Sequence, residues 1–141
     1  MSRIMAIDFG QKRVGLAVTD ENKIIATALA TVHVKDVIPY LKSYIEQEDV
    51  ECIVVGDPRQ MNNKASESVK YINPFVNKLR HEFPEIIIDR YDERFTSKMA
   101  FQSMLESGMK KKERQNKDNI DKISAVIILQ SYMSYLSGKG A

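Results

Sequence analysis

Three carboxylates stand where packing alone would not put them. Asp8 closes the apolar run Ile4–Ile7 in "AIDFGQKRVGLAVTD", residues 6–20. Glu93 ends the run "EIIIDRYDE" and lies within "DERFTS", and Asp121 lies near the start of "NIDKISAVIILQ". Each has a plain structural account. A strand-end acid is often just where the chain meets water. Asp118 as a helix N-cap with Asp121 three residues on would make a capping-box-like pair that suits the helix dipole. Taken together, the three ask for more. Acids drawn from distant parts of a chain to one edge repel one another unless a cation sits among them. Hard oxygen ligands without histidine or cysteine favour Mg²⁺ or Mn²⁺ over zinc. Carboxylates holding such ions perform phosphoryl transfer: two ions about 3.5–4 Å apart activate a water and stabilise the leaving oxygen, with no nucleophilic side chain needed. The chain has no credible Ser–His or Cys–His pairing, and His33 and His81 read as surface or packing residues.

Cations accompany each acid. Lys12 and Arg13 follow Asp8, Arg94 follows Glu93, and Lys110, Lys111, Lys112, Arg114 and Lys117 precede Asp121. Each is placed to meet a polyanion whose scissile phosphate lies at the acids. As a mobile loop the run at 110–117 would be well placed to contact phosphate; the alternative is a solvated loop, the usual fate of charge runs.

The elements that must position these groups follow from periodicity. Ile4–Asp8, Val14–Thr19 and Ile24–Val32 are apolar stretches joined by "GQKR" and "DENK". Connections that short predict an antiparallel meander, because parallel neighbours need a crossover of about a dozen residues. Val37, Leu41, Tyr44, Ile45 and Glu48 share one helical face over Lys35–Asp49, and "ECIVVGDP", 51–58, is a short buried strand stopped by Gly56 and Pro58. Ala65, Val69, Ile72, Val76, Leu79 and Phe83 give the strongest helical pattern, with a kink or restart expected at Pro74. A strand over 85–93, a helix over Thr96–Ser107 stopped by Gly108, a polar basic loop over 109–118, a helix from about Asn119 to Leu136 and a frayed tail at 138–141 complete the chain. The order βββαβαβαα implies an α/β fold, a mixed sheet covered by helices. In open sheets of this kind function collects beyond the carboxyl ends of the strands.

Composition sets the outer limits. At 141 residues, 43% hydrophobic and 28% charged, the chain reads as one soluble domain over 1–141. A formal net charge of +2 permits a nucleic-acid partner without demanding one. Cys52 cannot pair internally, and beside Ile53, Val54 and Val55 it reads as an inert core thiol in a reducing compartment. No stretch approaches the roughly 18 apolar residues of a membrane span, and the N-terminal run is too short for a signal peptide, so a cytoplasmic location is expected.

At the acids and their neighbours the chain resembles the YqgF/RuvX family of bacterial RuvC-like nucleases. "AIDFGQKRVGLAVTD", "DERFTS" and "IDKISAVIILQSY" are similar to that family's three motifs, in order and correctly spaced over essentially the whole chain. The resemblance implies a ribonuclease H-like fold with a five-stranded sheet in the order 3-2-1-4-5, strand 2 antiparallel. It implies that Asp8, Glu93 and Asp121 are catalytic metal-binding acids holding Mg²⁺ or Mn²⁺, two ions in all. It also puts Lys12, Arg13, Arg94 and Ser97 in motif positions suited to substrate contact or to supporting the groups that make it, beside Lys111, Lys112 and Arg114 of the basic run. Members are associated with maturing the 5′ end of pre-16S ribosomal RNA and were earlier proposed to resolve Holliday junctions. The implied partners are therefore structured RNA, branched DNA and a pre-ribosomal particle, with no membrane, for a monomer or homodimer. One departure is "VVGDP" where the family often has "VVGLP"; Asp57 is expected to be exposed, outside the metal set. Two other classes compete. A non-catalytic nucleic-acid or ribosome-binding module would keep the fold and lack cleavage. "IDFGQKRVGLAV" also resembles the first phosphate loop of sugar kinases and actin-like ATPases, which need a second domain that 141 residues hardly accommodate.

Overall fold

The computed structural model describes residues 2–10, 12–57, 69–92 and 117–139. Its elements, in chain order, are β1 (Arg3–Phe9), β2 (Arg13–Thr19), β3 (Ala26–His33), α1 (Val37–Gln47), β4 (Val50–Asp57), α2 (Val69–Glu82), β5 (Ile87–Asp92) and α3 (Lys117–Lys139). The strands form one five-stranded sheet in the order β3-β2-β1-β4-β5. β2 runs antiparallel to both β1 and β3, whereas β4 pairs in parallel with β1 and β5. The expected meander, mixed sheet and strand order are all present.

Strand alternation divides the core into two layers. Met5, Ile7, Leu16, Ile53 and Val55 point to one face, where they pack with Val37 and Leu41 of α1 and Ile72, Val76 and Leu79 of α2. Ile4, Ala6, Ala17, Cys52 and Val54 point to the other, under Ala125, Ile128, Leu129 and Tyr132 of α3. Small residues at 6, 17 and 125 let this helix approach closely. Thr19, among the described residues the one buried polar side chain, is satisfied: its Oγ1 accepts the Ile4 N–H at 2.9 Å.

Element ends differ from expectation for identifiable reasons. β3 starts at Ala26 rather than Ile24 because the Asp20 carboxylate gathers the N–H groups of Ile24 and Ile25 into a turn, leaving both isoleucines exposed. Lys23 in that turn has φ 59°, the left-handed region. β5 starts at Ile87 because Phe83 and Ile86 are tied into a turn after α2. No restart occurs at Pro74, since α2 runs through it. The ring is exposed, so water can satisfy the carbonyl that loses its donor. α3 begins at Lys117, not Asn119, taking in two residues of the expected loop, and extends to Lys139 rather than fraying at 138. One glycine, Gly138, costs a helix only about 1 kcal/mol. The expected helix over Thr96–Ser107, the loop residues 109–116 and the first turn proposed at Ala65 lie outside the described residues.

Candidate functional site

β1, β4 and β5 are parallel, so their carboxyl ends meet at one edge of the sheet, at Phe9, Asp57 and Asp92. Asp8 stands there. By alternation with Ile4 and Ala6 its side chain lies on the α3 side. Phe9, the next residue, points the opposite way and stacks on Phe75 of α2 with ring centroids 4.5 Å apart, which pins the strand end.

The neighbours of Asp8 are what open the site. Across the β1–β2 ladder it pairs with Gly15. On the other flank Ile7 pairs with Val55, so the next step in register sets Asp8 beside Gly56. A carboxylate between two glycines has no Cβ beside it on either neighbouring strand. The connection to β2 is equally constrained. A Cβ on Gly10 would come within 2.6 Å of the Arg13 carbonyl oxygen, so only glycine fits this turn. Arg13 shares the parity of Gly15 and Ala17 and is half-buried on the α3 side, while Lys12 is exposed in the bend, its carbonyl accepting the Val34 N–H at 2.9 Å. A fixed anion with cations at its turn suits a phosphate diester approaching from solvent.

α3 brings the second part of the site. Ile4, Ile25 and Ala26, at the far end of β1 from Asp8, share a cavity wall with Met133, Ser134 and Leu136. The C-terminal half of α3 therefore sits at that far end and its N-terminal half is directed to the Asp8 edge. Residue 121 lies about 18 Å up the helix from Met133, enough to cover the roughly 13 Å from Ile4 to Asp8. Asp118 is inside the helix rather than capping it, so the capping-box account of Asp121 fails. At Ser131 and Tyr132 α3 is tied to β5 by two part-buried hydroxyl bonds. The Tyr132 phenol donates to Asp89 Oδ2 at 2.8 Å, and Tyr91 and Ser131 share a hydrogen bond of 2.6 Å. Burial, then the bond to Asp89, pushes the Tyr132 hydroxyl well above the usual tyrosine range.

Of the three acids, Asp8 is described with its side chain and Asp121 by its helical backbone; Glu93 directly follows the last residue of β5 in sequence and lies outside the described residues. Arg94, Ser97, Lys111, Lys112 and Arg114 also lie outside them, and Asp57 is described by its backbone at the end of β4. Among the described residues no three carboxylate, imidazole or thiol groups converge to hold a metal. The donor chemistry at the edge nevertheless fits a hard divalent cation: a carboxylate at the end of a strand laddered on both sides, with His81 exposed on α2 and Cys52 buried lower in the sheet, while His33 is exposed at the end of β3, paired with Arg13. Gly15 and Gly56 were not singled out as functional from the sequence; glycines inside strands, where they weaken the strand, were the available signal.

The sequence matches the RuvX family, described as "Holliday junction resolvase", over residues 2–135. A relative in Flavobacterium johnsoniae named "Putative pre-16S rRNA nuclease" is 54% identical over 134 residues, covering 95% of this chain and 97% of its own. One of the same name in Phocaeicola vulgatus is 55% identical over 133 residues, covering 94% and 96%. Among solved structures, T. thermophilus RuvC in complex with a Holliday junction substrate superposes with a TM-score of 0.61 at 15% identity, covering 98% of this chain and 97% of that one. Fowlpox virus resolvase with Holliday junction DNA gives 0.59 at 12%, covering 95% and 98%. Identities that low speak for the fold.

Proposed function

The chain belongs to the RuvX family, and from that premise we propose that it is a divalent-metal-dependent phosphodiester hydrolase that matures the 5′ end of the 16S ribosomal RNA precursor. The observation that carries the reading is the Asp8 carboxylate, held rigidly at the carboxyl edge of the sheet between Gly15 and Gly56 and beside the Arg13 turn. In this reading Glu93, next in sequence after β5, and Asp121, from the N-terminal half of α3, join Asp8.

Asp8, Glu93 and Asp121 would together hold Mg²⁺ or Mn²⁺, two ions by analogy with the family's chemistry. When bound, the ions supply Lewis acidity at the scissile phosphate and make water a competent nucleophile near neutral pH. The chain's own part is positional. Asp8 is fixed by a strand laddered on both sides, so its oxygens need little reorganisation on binding. Lys12, Arg13, Arg94, Lys111, Lys112 and Arg114 draw in the phosphate backbone, and Ser97 supports it by hydrogen bonding. This reading places the protein in the cytoplasm, working on RNA or a pre-ribosomal particle.

The test is cleavage by the purified chain of a precursor transcript carrying a 5′ extension, with a four-way DNA junction as the competing substrate. Mg²⁺-dependent shortening of the RNA is expected, with Asp8→Asn abolishing it while thermal unfolding stays unchanged. Retained Mg²⁺-dependent cleavage by Asp8→Asn would sink the assignment. Cleavage of the junction with the RNA left intact would replace the substrate.

A further inference from the structure

α3 packs on β1, β2 and β3 and meets β5 through the Tyr91 ring, which contacts Tyr132 and Tyr135, and through two hydroxyl bonds from adjacent helix residues. One is Tyr132 to Asp89, the other Tyr91 to Ser131. Tyr132 is 5% exposed, and its ring meets that of Tyr91 edge-on at 5.8 Å. Asp89 is fixed in turn, since its Oδ1 accepts the Arg90 N–H at 2.9 Å. A phenol donating to a carboxylate in a water-poor layer is among the stronger neutral–charged hydrogen bonds.

The placement of this bond matters because of what its two elements carry. β5 runs directly into Glu93, and α3 carries Asp121. We propose that Tyr132 and Asp89 are positioning residues whose hydrogen bond sets the spacing between α3 and β5, and so the affinity of the acid site for its divalent cation. This rests on the reading of Asp8, Glu93 and Asp121 as that site.

The mechanics are simple. Residue 121 lies eleven positions from Tyr132, about 16 Å along a stiff helix. A tilt of about 10° at the anchor moves the far end by about 3 Å, whereas metal–ligand distances tolerate about 0.2 Å. The apolar contacts of Ile128 and Leu129 resist separation of the layers but direct no particular rotation. The phenol–carboxylate bond is directional, so together with the Tyr91–Ser131 bond it supplies what those contacts lack, and of the two it is the one made to a charged group.

The experiment measures Mn²⁺ binding to the full chain by electron paramagnetic resonance, alongside cleavage as a function of Mn²⁺ concentration. Tyr132→Phe keeps the ring and removes the donor. It is expected to weaken Mn²⁺ binding about five-fold or more, with cleavage recovering towards the wild-type maximum at saturating Mn²⁺. Asp89→Leu should behave like Tyr132→Phe, and Asp89→Asn, whose amide oxygen still accepts the phenol, should bind like the wild type. Should Tyr132→Phe not fold, the contrast between the two Asp89 variants decides. Wild-type Mn²⁺ affinity in both Tyr132→Phe and Asp89→Leu overturns the proposal, as does equal weakening in Asp89→Asn and Asp89→Leu. A wild-type chain that binds no Mn²⁺ overturns the underlying metal reading instead.

Discussion

Asp8 faces Gly15 across the β1–β2 ladder, so no side chain of β2 stands directly opposite the acid at the carboxyl edge of the sheet. Gly15 is buried on the side covered by α3. Glycine in a strand interior costs about 0.5–1 kcal/mol relative to alanine, and at position 15 it keeps a Cβ away from the strand position opposite Asp8. Gly15→Ala is expected to lower the cleavage rate while leaving the unfolding temperature equal or higher. Full activity in a stable Gly15→Ala protein would show that the missing Cβ is not needed.

Gly10 is a different case, because the obstacle there is backbone. A Cβ would lie 2.6 Å from the Arg13 carbonyl oxygen, and that oxygen cannot move aside as a flexible side chain could. Gly10→Ala should therefore destabilise the fold by about 1–3 kcal/mol, as overpacking does, and urea unfolding with an unchanged slope measures it. A stability change below about 0.5 kcal/mol, the noise of ordinary surface substitutions, would mean that the turn relaxes freely.

Much of this was legible in the sequence because the signals were local. The meander followed from two connections too short for a crossover, and α2 from a repeat of apolar residues at helical spacing. The strand order required the family resemblance, since periodicity says which residues share a face and not which strands are neighbours. What escaped was set by single polar groups. The Asp20 carboxylate turned Ile24 and Ile25, which read as strand, into an exposed turn. At the site, Asp8 was visible as an acid ending a core strand. Gly15 and Gly56 were not, because their role exists only once the register puts them beside it. The Tyr132–Asp89 bond joins residues 43 apart, beyond any local pattern.

Cys52 gives a test of the α3 layer. Its thiol is buried beneath the helix, 3.8 Å from the Tyr132 hydroxyl, and burial pushes its pKa above the ordinary thiol value, outweighing the opposing effect of that contact. Since the thiolate is the reactive form, a disulfide reagent should leave Cys52 untouched in the native protein at pH 8 and label it on unfolding in denaturant. Rapid labelling of the native chain would mean that α3 lifts readily from the sheet.

The Asp20 turn makes a prediction about acid. Its Oδ1 accepts the Ile24 N–H at 2.7 Å and the Ile25 N–H at 2.8 Å. These bonds, that from Ile25 foremost, hold the carboxyl below its ordinary value of 3.8 in the folded state. The unfolded chain therefore takes up the proton first as pH falls. The stabilisation is fully present above that ordinary value, which the unfolded chain keeps, and is lost as pH drops through the lower folded value. Asp20→Asn keeps an oxygen able to accept both bonds but has no proton to bind, so its melting temperature should match the wild type near pH 7 more closely than that of Asp20→Ala. Between about pH 5 and pH 2 the wild type should fall more steeply than Asp20→Asn. Some acid slope will persist in that variant, because Lys23 and Ser2 depress Glu51 and Lys42 depresses Glu82 in the same direction. Melting temperatures of the three proteins across that range decide the matter, and identical acid slopes for the wild type and Asp20→Asn would remove Asp20 from the account.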